Sequence, residues 1–511
     1  MSSYRLAWRV VMLFLLAALL LYAAYFAYHA YRLARARGEV NYAESTWLFA
    51  SLRVRHGLTP YFDYTQAPYV PMAYPPLLPE LAGGTGALLG AGDGQVITLT
   101  RLFSLGSALS ISLAIALACR AFGVKAIPSA IAGLLFLTPE PTFTLWSAAA
   151  RSDMLAVALG LLAVALLLTA SKRSPAPTWS LALGGVLGGL AIMAKQTAIA
   201  PLLAIVLWLA LTGGGRASRV ARMRAILIVV TGALVSMLVA LAPFGLEGAQ
   251  QLWRSTLDLA SHPQSPAALY TRLDNLVTMF GLCFPLSALG IWVLTLPKED
   301  NKAPANAGAA RSLFLIYAGV AALVLVLTSA KLGSASSYCL ETIAVLCVAA
   351  GVGLGALGRL VERAERLVGV ALLVLAIAPL ATQAWYASKT AQSSWVPGPD
   401  DGPLAALAQP NRGPVLSENG YILLNGAEPP LLLDPLFFSV QERAGRWDSE
   451  PLTKMAQGRE FVSVVLFHPI ETTPSVDGVS WIPAETYAAI KSNYTLLGTH
   501  GRYYVYVPKS P

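Results

Sequence analysis

Charge is what this chain has least of. Its 36 Lys and Arg and 27 Asp and Glu make up 12% of 511 residues, about half the roughly 25% of a soluble domain. A chain of this length would suit about three soluble domains, but so few charges cannot cover three globular surfaces. An ordinary cytosolic enzyme is excluded, and 56% hydrophobic residues exclude a disordered chain. The net charge of +9 comes without a dense Lys/Arg run, so nucleic acid is not a partner. Cysteine is scarce too. Cys119, Cys283, Cys339 and Cys347 sit in or beside apolar runs without CxxC spacing, which speaks against a disulfide framework and a thiol active site. The five histidines (His29, His56, His262, His468, His500) lack metal-ligand spacing. No phosphate-binding loop, dinucleotide fingerprint or GxSxG elbow is convincing.

Long apolar runs are abundant. They lie near 9–29, 98–119, 126–148, 154–171, 179–196, 198–212, 225–244, 273–296, 312–330, 340–358 and 367–387, lengths that suit a membrane span of roughly 20 residues. Eleven spans are expected, the first as an uncleaved anchor. The 198–212 run is short, and only Lys195-Gln196-Thr197 divides it from its predecessor, so a tight turn is expected there. Residues 76–92 are apolar but short and carry Glu80, which predicts a re-entrant or surface helix. Gly184/Gly188 and Gly185/Gly189 have GxxxG spacing, most simply a helix-packing feature.

Eleven spans put the chain ends on opposite sides of the membrane. Alternate connections hold 16 basic residues against four acids, and the positive-inside rule makes that side cytoplasmic. The outer membrane face holds 11 of each sign, and the tail from 389 holds nine basic and twelve acidic residues. The N-terminus is therefore expected inside and the tail outside, in the periplasm of a bacterial inner membrane. Within the tail, short apolar stretches at 462–467 and 503–507 read as strands and 483–493 as a helix. Residues 396–403 (VPGPDDGP) mark the linker. The expected architecture is a polytopic α-helical membrane domain over 1–388 and a small extracytoplasmic α/β domain over 389–511.

The residues with chemical potential lie on the outer face. The first outer loop, about 30–95, combines Glu39, Glu44, Asp63 and Glu80 with closely spaced Tyr and Pro, including Tyr61 and Tyr74. Its segment 40–56 has helical spacing of apolar residues, predicting a helix along the membrane surface. Such a loop suits a sugar or other polyol at the interface, or it is a solvated cap. Arg151-Ser152-Asp153, Lys195-Gln196-Thr197 and Lys331–Glu341 place charges at span edges on the same face. Charges at this depth are costly and point to function, unless Arg151, Asp153 and Lys195 pair structurally.

The sequence resembles the GT-C-type integral-membrane glycosyltransferases, in the class of protein mannosyltransferases and lipid A aminoarabinose transferases, and within it the bacterial family 39-like members. The resemblance covers most of the chain. It rests on NYAESTWLFASLRVRHGLTPYFDYTQAP (41–68), ARSDMLA (150–156), GGLAIMAKQTA (188–198), GSASSYCLE (333–341) and, in the tail, VLSENGYILLNG and DPLFFSVQERAGRWD. It implies a polyprenyl-phosphate-linked sugar donor, transfer with inversion on the extracytoplasmic side, and a glycolipid, glycan or protein acceptor. A phosphate leaves as an anion, so the protein must stabilise negative charge and deprotonate the acceptor hydroxyl. Many members carry Asp-Glu or Asp at the first-loop acid, where this chain has Ala43-Glu44. Glu44 is then the expected base, with Asp63 as its rival and Asp153 positioning the acceptor or orienting Lys195. Lys195, Arg151, Lys331 and Tyr338 are expected at the donor phosphate, and Tyr61, Tyr74 and Glu341 at the sugar or acceptor. No cofactor is certain; a divalent metal on the carboxylates at 44, 63 and 153 stays open. A transporter or flippase is the rival from another class, but it would place charges near the midplane and show repeats. A non-catalytic family member and a ligase with a diphosphate-linked donor also stay open.

Overall fold

The computed structural model describes residues 3–138, 146–173, 175–213, 218–260, 263–296, 307–331, 334–361, 378, 380, 382–383, 400–472, 475–476 and 479–510. Without water to satisfy backbone groups, an apolar run in a bilayer must close its own hydrogen bonds, and helices do so. In chain order the helices of the membrane region are α1 (Ser3–Ala34), α2 (Glu44–Arg55), α3 (Leu77–Leu88), α4 (Asp93–Ala121), α5 (Ala126–Leu135), α6 (Asp153–Ala170) and α7 (Thr178–Ala194). They continue with α8 (Ala200–Thr212), α9 (Arg219–Leu241), α10 (Gly245–Ala260), α11 (Pro266–Phe280), α12 (Phe284–Thr295), α13 (Ala307–Ser329) and α14 (Leu340–Val361). Among the described residues, seven helical segments are long and apolar enough to cross a membrane, and α5, α7 and α8 are shorter apolar helices. The chain is a multi-pass helical membrane protein. The eleventh expected run, 367–387, lies outside the described residues except for four positions.

Three expectations change in detail. The 126–148 run is not one helix: α5 ends at Leu135, about 15 Å of rise, and residues 139–145 of the run lie outside the described residues. The 273–296 run starts earlier, at Pro266, and is broken by a 3-10 turn at Gly281–Cys283. The helix expected over 40–56 begins at Glu44, and Glu44 through Leu52 are buried rather than laid on a lipid surface. Helices α3 and α4 and the chain near Tyr421 cover it. At 12 residues, α3 is too short to cross.

Packing between spans relies on small residues. A Cβ at Gly185 would meet the Val229 carbonyl oxygen at 2.2 Å, and one at Gly189 the Ala233 oxygen at 2.5 Å. The 185/189 register is therefore the seam of α7 against α9. A Cβ at Gly184 or Gly188 would first meet a side chain, Leu167 at 3.1 Å or Leu202 at 3.2 Å.

The tail folds as α15 (Gly402–Ala408), α16 (Pro435–Arg443), α17 (Glu450–Gln457) and α18 (Ala484–Asn493) with β1 (Val415–Ser417), β2 (Ser463–Leu466), β3 (Ser475–Val476), β4 (Val479–Ser480), β5 (Tyr494–His500) and β6 (Tyr503–Pro508). Four strands form one sheet in the order β1-β2-β6-β5, β1 parallel to β2 and the rest antiparallel. Leu416, Phe438, Phe461, Val464 and Ile490 fill its core. Tyr64, Tyr69 and Ala73 of the first outer loop join that core. The Tyr69 amide donates to the Leu431 carbonyl at 2.7 Å, so loop and tail are stitched together.

Candidate active site

Three helix ends converge at one end of the bundle. Asp153 opens α6, Lys195 closes α7 in an extended conformation (φ −151°, ψ 123°), and Tyr338 lies in the 3-10 turn Ser336–Cys339 before α14. Polar and charged residues break the apolar pattern at each of these ends, which is why the helices stop there. Lys195 Nζ donates to Asp153 Oδ1 at 2.6 Å, and Arg151 Nε donates to Asp153 Oδ2 at 3.3 Å. Asp153 and Lys195 are buried, 3% and 8% exposed. The Lys195 ammonium stands 4.1 Å from the centre of the Tyr338 ring, and the Arg151 guanidinium lies between Trp47 and Trp146 at 4.8 and 4.5 Å. Flat aromatic walls fix a guanidinium while leaving its edge available.

A pocket opens beside this cluster. Asp153, Lys195, Ser337, Tyr338 and Glu341 line it together with the apolar side chains of Val157, Val324 and Leu325. Glu341 accepts from the Tyr317 hydroxyl at 3.0 Å. A lining that combines a buried cation with polar and apolar side chains suits an amphiphile with an anionic head. Tyr74 adjoins the cluster through Trp47, ring centres 4.3 Å apart, and burial pushes its phenol up to about 12. Tyr61 is one layer back: its hydroxyl donates to the Tyr74 carbonyl at 3.2 Å and its ring packs on Phe244.

The other expected residues stand apart. Glu44 is fully buried and its oxygens are occupied. They accept from the Val40 amide at 2.7 Å, the Ala150 amide at 2.9 Å, and Arg101 Nη2 and Nε at 2.5 and 3.3 Å. Arg101 also donates to the carbonyls of Ala36 and Gly38 at 2.7 and 2.6 Å. The pair is a closed knot that ties the outer loop to α4, and no lone pair faces the cavity. Asp63 is at the exposed edge, where Thr65 Oγ1 donates to it at 2.6 Å and holds its carboxyl below the usual range. Lys331 sits in an isolated bridge with Gln264 and is half-buried, which lowers its ammonium.

Two cations were not among the residues expected from sequence. Arg101 lies inside the 98–119 run, and a charge within an apolar run was the available signal. Arg272, one residue before the 273–296 run, donates from Nε to Ser334 Oγ at 3.2 Å, and its carbonyl accepts from Cys339 Sγ. It flanks the turn that carries Tyr338. Among the described residues no three His, Cys, Asp or Glu side chains gather to hold a metal ion. Asp153, already against two cations, is a poor ligand for a third, so no chemistry is routed through a metal.

A helical membrane bundle with a long loop docked after its first helix, a charged cavity at one end and a small α/β tail is the GT-C fold. Solved structures share it. ArnT from Cupriavidus metallidurans bound to undecaprenyl phosphate is 16% identical over 95% of this chain and 97% of its own, with a TM-score of 0.57. The oligosaccharyltransferase AglB from Archaeoglobus fulgidus, in complex with an inhibitory peptide and a dolichol-phosphate, is 13% identical over 88% of this chain and 69% of its own, at 0.56. Arabinofuranosyltransferase AftD from Mycobacteria is 14% identical over 96% of this chain but 40% of its own, at 0.50. Neither protein-family models nor curated proteins give a sequence match.

Proposed function

We propose that this chain is a bacterial inner-membrane glycosyltransferase that moves a sugar from a polyprenyl-phosphate donor to a hydroxyl acceptor on the extracytoplasmic face, with inversion. The observation that carries this reading is the cavity shared by Asp153, Lys195, Tyr338 and an apolar helix face. Neighbours in fold hold undecaprenyl phosphate and dolichol-phosphate, ligands of the chemistry this cavity suits. The lipid tail lies along Ala321, Val324 and Leu325; the phosphate meets Lys195, Arg151 and Arg272, with Tyr338 as a further donor. Tyr74 and Glu341 face the sugar or acceptor.

Asp153 is the base in this reading rather than Glu44, because Asp153 is on the cavity wall and Glu44 is not. The acceptor oxygen bonds to the anomeric carbon as its proton passes to Asp153. The bond from that carbon to the phosphate oxygen breaks, and the electron pair leaves on the phosphate. Lys195 and Arg151 stabilise that charge where it develops, inside a water-poor pocket.

The test is sugar transfer from a polyprenyl-phosphate donor by the purified chain. Lys195→Ala and Asp153→Asn each remove one partner of a buried ion pair and so lower the melting temperature as well; measured per folded molecule, turnover is expected to fall by roughly 10²–10³. Glu44→Gln leaves Arg101 buried without its charge partner, a cost of about 3–5 kcal/mol, so its activity should fall in step with its folded fraction. Wild-type turnover in Lys195→Ala overturns the donor site; wild-type turnover in Asp153→Asn overturns the base.

A further inference from the structure

Residues 36–44 are a strap held from both sides. On the membrane side Arg101 grips the Ala36 and Gly38 carbonyls and Glu44. On the tail side the Asp401 amide donates to the Arg37 carbonyl at 2.8 Å, and the Glu39 amide donates to Asp401 Oδ2 at 2.9 Å. Asn419 Nδ2 donates to that same oxygen at 2.8 Å. Between these anchors Ala43 has φ +63°, a left-handed conformation that costs a non-glycine residue roughly 1–2 kcal/mol and persists only where its surroundings dictate it.

Tyr42 is the residue on this strap that touches both halves of the molecule. Its ring meets Trp481 and Phe467 edge-on, at 4.3 and 6.1 Å. Its hydroxyl donates to Asp434 Oδ1 at 2.7 Å and accepts from the Leu436 amide at 3.2 Å. Its carbonyl turns the opposite way and accepts from Arg151 Nη1 at 3.1 Å, beside Asn41 Oδ1 at 3.4 Å. Among the described residues the guanidinium bonds through Nε and Nη1 and not through Nη2. The direction of that nitrogen is set by Asp153, two indole faces and the strap carbonyl.

From this geometry we propose that the α/β tail is a working part of the transferase site, with Asp434 and Tyr42 as positioning residues for Arg151. Asp434 fixes the Tyr42 side chain, the side chain fixes the backbone beside the strained Ala43, and that backbone aims Arg151 at the donor phosphate. Losing the Tyr42–Asp434 bond lets Ala43 relax to a right-handed conformation and swings the carbonyl off Arg151. The proposal rests on the donor-site reading above.

The experiment measures binding of a polyprenyl monophosphate to the full-length chain in detergent, with melting temperature alongside. Tyr42→Phe keeps the ring and removes the hydroxyl. Asp434→Ser keeps an N-cap acceptor for α16 but withdraws the oxygen from Tyr42. Both are expected to bind the lipid phosphate on the order of tenfold more weakly, while in an Arg151→Ala background Tyr42→Phe adds nothing. Wild-type binding by Tyr42→Phe, or a loss that adds in full to that of Arg151→Ala, overturns the positioning role. A wild-type chain that binds no polyprenyl phosphate overturns the donor site and this role together.

Discussion

Glu44 and Asp153 each open a helix at the same end of the bundle, and from sequence Glu44 is the expected base and Asp153 a positioning residue. Their surroundings separate them. Four donors close around Glu44, whereas Asp153 meets Lys195 and Arg151 at the wall of a cavity. A third carboxylate, Glu39, is 2% exposed. Burial raises it well above the usual carboxylate range, and the neighbouring charge of Glu44 adds to the rise. An acid whose folded value lies above its unfolded one holds its proton more tightly when folded, so stability is greatest below the unfolded value and falls as pH rises through the folded one. Glu80 and Glu418, both pushed up by burial to about 7, act with the same sign. The melting temperature is therefore expected to fall from pH 5 to pH 8, and Glu39→Gln should flatten that slope without removing it. An unchanged slope in Glu39→Gln would show that Glu39 takes no part.

At the scale of elements, two overlapping GxxxG pairs have the same spacing, and only one packs backbone to backbone. Gly189 faces the Ala233 carbonyl and Ser236 Oγ within 2.5 Å of a built Cβ, whereas Gly188 meets the flexible Leu202 side chain at 3.2 Å. Gly189→Ala is expected to cost about 1–3 kcal/mol by overpacking and Gly188→Ala much less. Thermal unfolding in detergent checks the order; equal shifts would sink it. Which helices exist was readable from apolar runs, because a bilayer demands helices of a set length. Where they break was less readable. The turn at Lys195–Thr197 was legible from its polar residues, but the 3-10 turn at Gly281–Cys283 has none. The burial of α2 was illegible for another reason: the residues that cover it come from distant parts of the chain.

Across the whole molecule, the modest positive charge resolves into topology. The loops assigned to the cytoplasm carry a surplus of twelve basic charges, the outer membrane face balances, and the tail is acidic by three. That assignment predicts the result of cysteine labelling, for which the chain is well suited because all four native thiols are buried. Ser492→Cys, on the tail, should react with a membrane-impermeant maleimide in spheroplasts, and Arg173→Cys only after permeabilisation. The reverse pattern would overturn the orientation. Composition and run length by themselves determined a helical membrane protein with a small α/β tail, because hydrophobicity and charge placement are local properties. The knot of Glu44 with Arg101, the cavity around Asp153 and Lys195, and the strap from Arg101 to Asp434 were decided by tertiary structure alone. Each joins residues dozens to hundreds of positions apart, and what a carboxylate does depends on which donors the fold brings to it.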